Sequence, residues 1–361
     1  MGFKCGILGL PNVGKSTLFN ALTKSSIPAE NFPFCTIEPN LGIVSVPDNR
    51  LNNINNFVNS EKVIPTTMSF VDIAGLVKGA SKGEGLGNAF LSNIREMNAL
   101  LHVVRCFDDE NVVHVDGAIN PLKDVETINL ELIFADIEVL EKRDQKLEKL
   151  IRSGDEDAKK HKAIIHSLKE LMESGNLPKL DSFDTEEKKF IESMNLLSTK
   201  PMVLVANLSD DDSKNNLSDL EAYAKSNSID IIPAIINVEH ELANLEQEEQ
   251  AEYLELLGMD EPVLNKIILS GYKLLNLETF FTSGPKESRA WTIRKNSLAP
   301  QAAGVIHTDF ERGFIKAEVI SYEDFIGCQG ESGAKREGKL RLEGKDYLVK
   351  DGDVIHFKFN V

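Results

Sequence analysis

The sequence has few of the features that mark secreted, membrane-embedded or zinc-binding proteins. Its 361 residues include four cysteines, which lie far apart and form no Cys-x-x-Cys pair. This spacing indicates neither a disulfide framework nor a zinc site, and it fits a reducing cytosol. No apolar run approaches the roughly 20 residues of a membrane-spanning helix. Because a core strand is predicted from Phe3 onward, we expect no signal peptide, no membrane contact and a cytoplasmic location.

The chain also lacks an excess of positive charge, since its formal net charge is −17. This excludes general electrostatic attraction to nucleic acid, so any RNA contact must come from a local basic patch. The acidic excess lies before residue 278, because residues 278–361 contain equal numbers of basic and acidic side chains. The length and this shift in composition predict two or three domains.

What the chain does contain, eight residues in, is a phosphate-binding motif. Gly9-Leu10-Pro11-Asn12-Val13-Gly14-Lys15-Ser16-Thr17 fits G-x-x-x-x-G-K-[ST] and stands between a strand-like and a helix-like run. The two glycines allow the backbone N–H groups to surround an anion. We expect the Lys15 ammonium to reach the β- and γ-phosphates and the Ser16 hydroxyl to bind Mg²⁺.

Two further segments are interpreted as switch loops that respond to the γ-phosphate. Thr36, in the loop from Asn31 to Asn40, is predicted to be a second Mg²⁺ ligand, the alternative being an ordinary loop threonine. Asp72 follows a predicted strand, and it suits an outer-shell Mg²⁺ carboxylate. Gly75 is predicted to present its backbone N–H near the γ-phosphate, at the start of a glycine-rich stretch.

Leu76 stands where many switch GTPases have the glutamine that orients the attacking water. Two histidines are candidates to replace that glutamine. His102 lies inside an apolar strand and is interpreted as a core residue. His114 follows that strand, and ligands of parallel sheets bind beyond the carboxyl ends of the strands, so we favour it as the water-positioning residue. A solvent-exposed loop histidine is the alternative interpretation of His114.

The segment that would recognise the base gives a mixed signal. A buried strand from Pro201 to Ala206 leads into Asn207-Leu208-Ser209-Asp210, where GTPases use Asn-Lys-x-Asp. Leu208 replaces the lysine whose stem packs on the base, whereas Asp210 keeps an acid at the guanine-reading position. The identity of the base therefore stays open.

Between these parts, apolar residues recur every three or four positions from about Thr127 to Ser198, with a break at Ser153-Gly154-Asp155. This pattern predicts an antiparallel helical hairpin inserted in the nucleotide-binding domain. Basic residues lie at the far end of this hairpin. They form either a solvated surface or a projecting surface that contacts RNA. They are Lys142, Arg143, Lys146, Lys149, Arg152, Lys159, Lys160 and Lys162.

Residues from Glu278 onward are predicted to form a small α+β domain. Strand-like runs are followed near the end of the chain by Asp351-Gly352, a hairpin-turn signal. A basic cluster is interpreted either as surface charge balanced by Glu337 and Glu343 or as an RNA contact. The strand-like runs are Ala317 to Ile320, Tyr347 to Val349 and Val354 to Phe359; the basic residues are Lys335, Arg336, Lys339, Arg341 and Lys345.

Along almost its whole length the sequence resembles the YchF, or Obg-like ATPase, family of translation-factor-related (TRAFAC class) P-loop proteins. The phosphate loop, the two switch segments and C-terminal strings such as Trp291-Thr292-Ile293-Arg294 carry the resemblance. It implies an α/β P-loop NTPase fold with a mostly parallel sheet, an inserted helical hairpin and a C-terminal β-grasp (TGS) domain. The implied limits are 1–127 and 199–277 for the nucleotide-binding domain, 128–198 for the hairpin and 278–361 for the TGS domain.

The resemblance further implies a ribosome-binding ATPase that acts as a nucleotide-dependent switch in translation or stress regulation, with RNA contacts through the TGS domain and the hairpin. It places nucleotide contacts on residues 12–17, Asn207 and Leu208, and Mg²⁺ ligands on Ser16 and Thr36. Asn12 resembles an asparagine that helps to hold K⁺ in potassium-dependent relatives. The family usually has Asn-x-x-Glu at 207–210, so a GTP-using switch remains open, as does a nucleotide-gated scaffold with incidental hydrolysis.

Overall fold

The structure, a computed structural model, describes residues 3–24, 40–73, 87–108, 119–211 and 216–360. The described residues divide into two compact units. Residues 3–24, 40–42 and 70–260 belong to the first unit, and residues 43–69 and 261–360 belong to the second. This grouping differs from the expected domain limits, because residues 43–69 and 261–277 join the C-terminal part of the chain.

A six-stranded, mostly parallel sheet carries the candidate site. Its strands, numbered along the chain, are β1 (Lys4–Leu8), β2 (Leu41–Ser45), β4 (Thr67–Asp72), β5 (Ala99–Arg105), β6 (Met202–Asn207) and β7 (Asp230–Ala234). They lie in the order β2-β4-β1-β5-β6-β7, and β1, β5, β6 and β7 are parallel to one another. All seven residues of β5 are buried, as its continuous apolar run predicts for a central parallel strand.

Besides the helical insertion described below, five helices among the described residues of the first unit accompany this sheet. They are α1 (Lys15–Lys24), α3 (Asn88–Arg95), α7 (Ser218–Asn227), α8 (Ile236–Leu242) and α9 (Gln247–Leu256). One apolar cluster joins Phe90 and Ile94 of α3 to Leu8 and Leu100 of the strands. A second cluster joins Leu220 of α7 to residues of β5 and β6. The sheet is therefore a rigid base for the loops at its edge.

The predicted helical hairpin is present and starts earlier than the sequence pattern indicated. It consists of α4 (Pro121–Arg152), α5 (Glu156–Glu173) and a third helix that was not predicted, α6 (Thr185–Ser193). α4 begins six residues before the expected start, because Asn120 accepts a 3.0 Å hydrogen bond from the Lys123 N–H and Pro121 occupies the first helical position. The break lies where it was predicted, with Gly154 at a φ of +90°.

A mixed sheet organises the second unit. Its strands are β3 (Lys62–Ile64), β8 (Leu277–Thr282), β9 (Glu287–Arg294), β10 (Phe314–Ile320), β11 (Arg341–Glu343) and β12 (Val354–Phe359), in the order β11-β10-β12-β8-β9-β3. Its helices are α2 (Asn49–Val58), α10 (Val263–Leu274), α11 (Ala299–Ile306), α12 (Thr308–Arg312), α13 (Tyr322–Gly327) and α14 (Glu331–Arg336). Among the described residues, no helix has both the length and the hydropathy to cross a membrane.

The predicted strand from Tyr347 to Val349, and with it the hairpin at Asp351-Gly352, is wrong. Tyr347 and Val349 instead bond to the segment before α11, through the Ala299 N–H to Tyr347 carbonyl bond of 2.8 Å and an isolated bridge at Leu348. The Tyr347 hydroxyl also donates to the Asp353 carboxylate at 2.7 Å. These contacts hold the segment as a loop that leads into β12.

Candidate nucleotide-binding site

The phosphate loop connects β1 to α1 and requires glycine at two positions. Gly9 and Gly14 have φ values of +147° and +99°, which residues with a side chain rarely adopt. A Cβ atom on Gly9 would overlap the Val103 carbonyl oxygen, and one on Gly14 would lie 2.7 Å from Asn207 Nδ2. Asn12 also has a positive φ, +61°. These turns place the loop at the carboxyl end of β1, directly before the N-terminus of α1.

Lys15 is buried, with 7% of its surface exposed, and its ammonium donates a 2.5 Å hydrogen bond to the Leu10 carbonyl oxygen within the loop. Burial lowers the pKa of Lys15 to about 8, and the negative charge of Asp72 partly opposes this shift. A desolvated ammonium that donates to a backbone carbonyl is well suited to an anionic ligand, because a phosphate oxygen is a stronger acceptor than a carbonyl.

Ser16 and Asp72 lie 56 positions apart in the sequence and meet at the candidate site. The Ser16 hydroxyl donates a 2.9 Å hydrogen bond to Asp72 Oδ2, and Asp72 is the last residue of β4. A hydroxyl oxygen and a carboxylate are hard donors, which fit Mg²⁺ better than a soft metal. The structure thus brings together two of the three predicted metal-site residues.

Asn207, at the end of β6, ties three parts of the site together. Its Nδ2 donates to the Val13 carbonyl at 3.0 Å, and its Oδ1 accepts from the Ile236 N–H at 3.3 Å, where α8 begins. Sequence reasoning assigned Asn207 to the nucleotide and missed these bonds, because their partners are 194 and 29 residues away. Asn207 therefore holds the phosphate loop against the sheet.

The two other predicted base contacts, Leu208 and Asp210, come shortly after Asn207 in the sequence. Leu208 is half-buried, and its N–H bonds to the Ala234 carbonyl at 2.9 Å. Asp210 is exposed, and its carboxylate accepts a 3.1 Å hydrogen bond from the Ser209 hydroxyl. Both residues lie beyond the carboxyl end of β6, the edge at which parallel sheets bind ligands.

His102 is a core residue of β5, as expected, yet its Nδ1 has no hydrogen-bond partner among the described residues. It pairs in register with Leu8, the residue before the phosphate loop. Burial and the positive charge of Lys15 lower the pKa of His102 to about 3, so its imidazole is neutral. Thr36, Gly75, Leu76 and His114 lie outside the described residues, and their assigned roles stay predictions.

Sequence reasoning also missed a buried carboxylate in α4. Asp136 has no exposed surface and bonds to the turn before β6. The signal was present in the sequence, because Ile128, Leu132, Asp136 and Leu140 recur at intervals of four on one buried stripe. An acid inside such a stripe indicates a buried polar network.

A glycine loop around a buried lysine, with a serine–aspartate pair at the carboxyl edge of a parallel sheet, defines a P-loop nucleoside triphosphatase. The chain is 54% identical over 363 residues to the protein named "Ribosome-binding ATPase YchF" of Haemophilus ducreyi, and 50% identical over 366 residues to that of Bacillus subtilis; each alignment covers 100% of both chains. The chain therefore belongs to the YchF family.

Two family models and a solved structure agree with this assignment. The model described as "50S ribosome-binding GTPase" matches residues 4–136, and the model YchF-GTPase_C, described as "Protein of unknown function (DUF933)", matches residues 277–360. The "Schizosaccharomyces pombe YchF GTPase" structure superimposes with a TM-score of 0.91 at 38% identity, covering 99% of this chain and 98% of that one. The predicted fold class, a P-loop NTPase with a β-rich C-terminal part, is thereby confirmed.

Proposed function

We propose that this protein is a ribosome-binding, cytoplasmic ATPase that acts as a nucleotide-dependent switch in translation or stress regulation. The observation that carries the proposal is the arrangement of the buried Lys15 ammonium beside the Ser16–Asp72 pair, which offers a cation and hard oxygen ligands side by side. The relatives from Haemophilus ducreyi and Bacillus subtilis, which are named ribosome-binding ATPases, support the activity and the partner.

Catalysis by this chain would consist of positioning and charge neutralisation. The backbone N–H groups of Asn12 to Thr17 would hold the triphosphate, and the Lys15 ammonium would neutralise charge on its β- and γ-phosphates. Ser16 and Asp72, together with Thr36, would hold Mg²⁺, which when bound neutralises phosphate charge. Gly75 would donate its N–H to the γ-phosphate.

Leu76 offers no polar group to a water molecule, so we assign the orientation of the attacking water to His114. K⁺, if it is used, would lie beside Asn12, which is exposed at the mouth of the loop. Contact of the γ-phosphate with Thr36 and Gly75 would couple the state of the nucleotide to these two segments, which is the step that makes the protein a switch.

The base is proposed to be adenine, with guanine as the second candidate. Leu208 lacks the charged stem that packs on guanine in Asn-Lys-x-Asp proteins, which favours ATP. Asp210 favours GTP instead, because it is an exposed acid at the guanine-reading spacing.

Equilibrium binding of ATP and GTP to the full chain, each with Mg²⁺, tests the base. We expect ATP to bind at least about tenfold more tightly, which corresponds to one or two hydrogen bonds of discrimination. Asp210→Ala should leave ATP affinity within about twofold. Equal or GTP-favoured binding by the parent, lost in Asp210→Ala, would replace ATP by GTP.

The ribosomal contact is proposed to use two groups of basic side chains. In the hairpin, Lys142, Lys159, Lys160 and Lys162 are each paired with an acid. Among the described residues, no acid lies within ion-pair distance of Lys146, Lys149, Arg152, Lys335, Arg336 or Lys345, although the pKa of Glu148 is lowered by Lys162 and, more weakly, by the charge of Arg152. These six exposed cations are available to RNA phosphates, which supports the RNA contact over a purely solvated surface.

A further inference from the structure

The C-terminal end of α3 is fastened to the turn that precedes β6. Lys200 lies in this turn, and its ammonium donates to the carbonyl oxygens of Arg95 and Met97 at 3.1 and 2.6 Å. It also donates to Asn195 Oδ1 at 3.1 Å. The Arg95 guanidinium and the Asn195 amide exchange two further bonds, of 3.2 and 3.1 Å, with each other's backbone carbonyl. A cation and an amide therefore satisfy the carbonyl groups at the end of α3.

The same turn is also hydrogen-bonded to α4. The Asp136 carboxylate accepts hydrogen bonds from the Leu197 N–H at 2.9 Å, the Ser198 N–H at 2.7 Å and the Ser198 hydroxyl at 2.7 Å. Asp136 is fully buried, so these bonds cannot be exchanged for water without separating α4 from the turn. Removing either side would leave a desolvated charge or buried donors without a partner, which is strongly unfavourable.

Asp136 lies where α4 changes its surroundings. Residues before it, Ile128 and Leu132, pack with α3 and the strands of the first sheet. Residues beyond it, Leu140 and Leu147, pack with α5 and α6 in the core of the hairpin. A small rotation of α4 about this point would therefore be amplified along the 16 residues that follow Asp136 up to the end of the helix at Arg152.

We infer that Arg95, Asp136, Asn195, Ser198 and Lys200 form a joint through which the second switch segment controls the orientation of the helical hairpin. α3 begins at Asn88, directly after that segment in the sequence, so a nucleotide-dependent shift of the segment would be passed along the chain to α3. The joint transmits this shift to the turn and from the turn to α4. This inference rests on the proposed function, because it requires a nucleotide-dependent switch.

Hydrogen–deuterium exchange of the full chain, with and without a non-hydrolysable ATP analogue and Mg²⁺, tests the joint. Lys200→Met removes the two ammonium bonds to the carbonyl oxygens of Arg95 and Met97 and leaves the Arg95–Asn195 bonds in place. Ser198→Ala removes one of the three bonds to Asp136. Lys169→Met is the matched control, because Lys169 pairs with Glu141 at 3.2 Å on the exposed side of the hairpin. Nucleotide affinity is measured in parallel for each protein.

In the parent we expect the analogue to change exchange in α3, in residues 195–200 and in the hairpin. In both joint variants, the analogue should still change exchange in α3, whereas the change in the hairpin should fall by about threefold or more. A change of this size lies within the range by which substitutions along such networks alter coupling. The control should respond like the parent. A hairpin response that is unchanged in the joint variants, or absent in the parent while α3 responds, would overturn the inference. If Lys200→Met does not fold, Ser198→Ala decides. Failure of the parent to bind nucleotide would overturn the proposed function itself.

Discussion

Lys15 is buried, yet a triphosphate bound beside it would require its charged form. Triphosphate binding should therefore depend on pH. In the free protein burial lowers its pKa to about 8, whereas an adjacent triphosphate stabilises the charged form. Below pH 8 the ammonium is already charged, so its titration should not affect binding. Above pH 8 binding must take up a proton, and affinity should fall by up to about tenfold per pH unit.

The measurement is the Kd for ATP with Mg²⁺ between pH 7 and 9.5, where the phosphate, with a second pKa of about 6, remains ionised. Lys200 is a useful control, because burial also lowers its pKa to about 8 although it lies in the turn before β6. Lys200→Met should therefore keep the parent's pH profile. A flat profile in the parent would show that the Lys15 ammonium does not meet the phosphates.

His114 can be tested apart from nucleotide binding. We expect His114→Ala to lower the rate of ATP hydrolysis by about 10²-fold or more, as for other groups that position or activate the reacting water, while ATP affinity stays within about twofold. His166→Ala is the matched control, since His166 is exposed on α5 and pairs with Glu170 at 3.3 Å. Unchanged turnover in His114→Ala would remove His114 from the catalytic site.

Among the elements, α4 offers a matched pair of leucines for testing what holds the hairpin together. Leu140 is fully buried in the core shared with α5 and α6, whereas Leu150 is 46% exposed on the same helix. Leu140→Ala should lower the free energy of unfolding by about 2–5 kcal/mol, because it removes buried methyl groups and leaves a cavity. Leu150→Ala should cost about 0.5 kcal/mol or less. Chemical denaturation followed by circular dichroism compares the two; equal costs would contradict this packing.

The elements also show what the sequence can and cannot predict. The strand, loop and first helix at the N-terminus follow from a local motif, and the break after Arg152 follows from Ser153-Gly154-Asp155, so both were predictable. The strand expected at Tyr347 was not, because a long-range bond to Ala299 and a bond to Asp353 six positions away override the local strand pattern. Asn207 was found by its spacing, but its bonds to Val13 and Ile236 join distant segments that no local pattern connects.

At the scale of the whole molecule, the second unit is built from two separate stretches of chain. β3 pairs with β9, and Leu51 and Ile54 of α2 pack in one cluster with Phe281 and Phe325. A chain cut before Glu278 would strip β3 of its partner and expose the apolar face of α2. Loss of ribosome binding by such a fragment would therefore report misfolding, and point substitutions on the full chain are the sharper test.

Two triple substitutions, each removing three positive charges, address the proposed RNA contacts. One changes Lys146, Lys149 and Arg152 to Gln, and the other changes Lys335, Arg336 and Lys345 to Gln. Each should weaken co-sedimentation with ribosomes and reduce the slope of log affinity against log salt by up to about 2, since each phosphate contact to single-stranded RNA contributes about 0.7. Retention of full binding and of the parent's salt slope by both variants would exclude these surfaces.

The loss of three positive charges could by itself weaken binding to the anionic ribosome, because the net charge of the chain is already −17. The control is therefore a third triple substitution to Gln, at Lys142, Lys159 and Lys160, whose charges are paired with Glu138, Glu156 and Asp157. It changes the net charge equally and lies on α4 and α5 of the hairpin. If contact with RNA phosphates rather than overall charge determines docking, this variant should bind like the parent, while equal losses in all three variants would contradict a local contact.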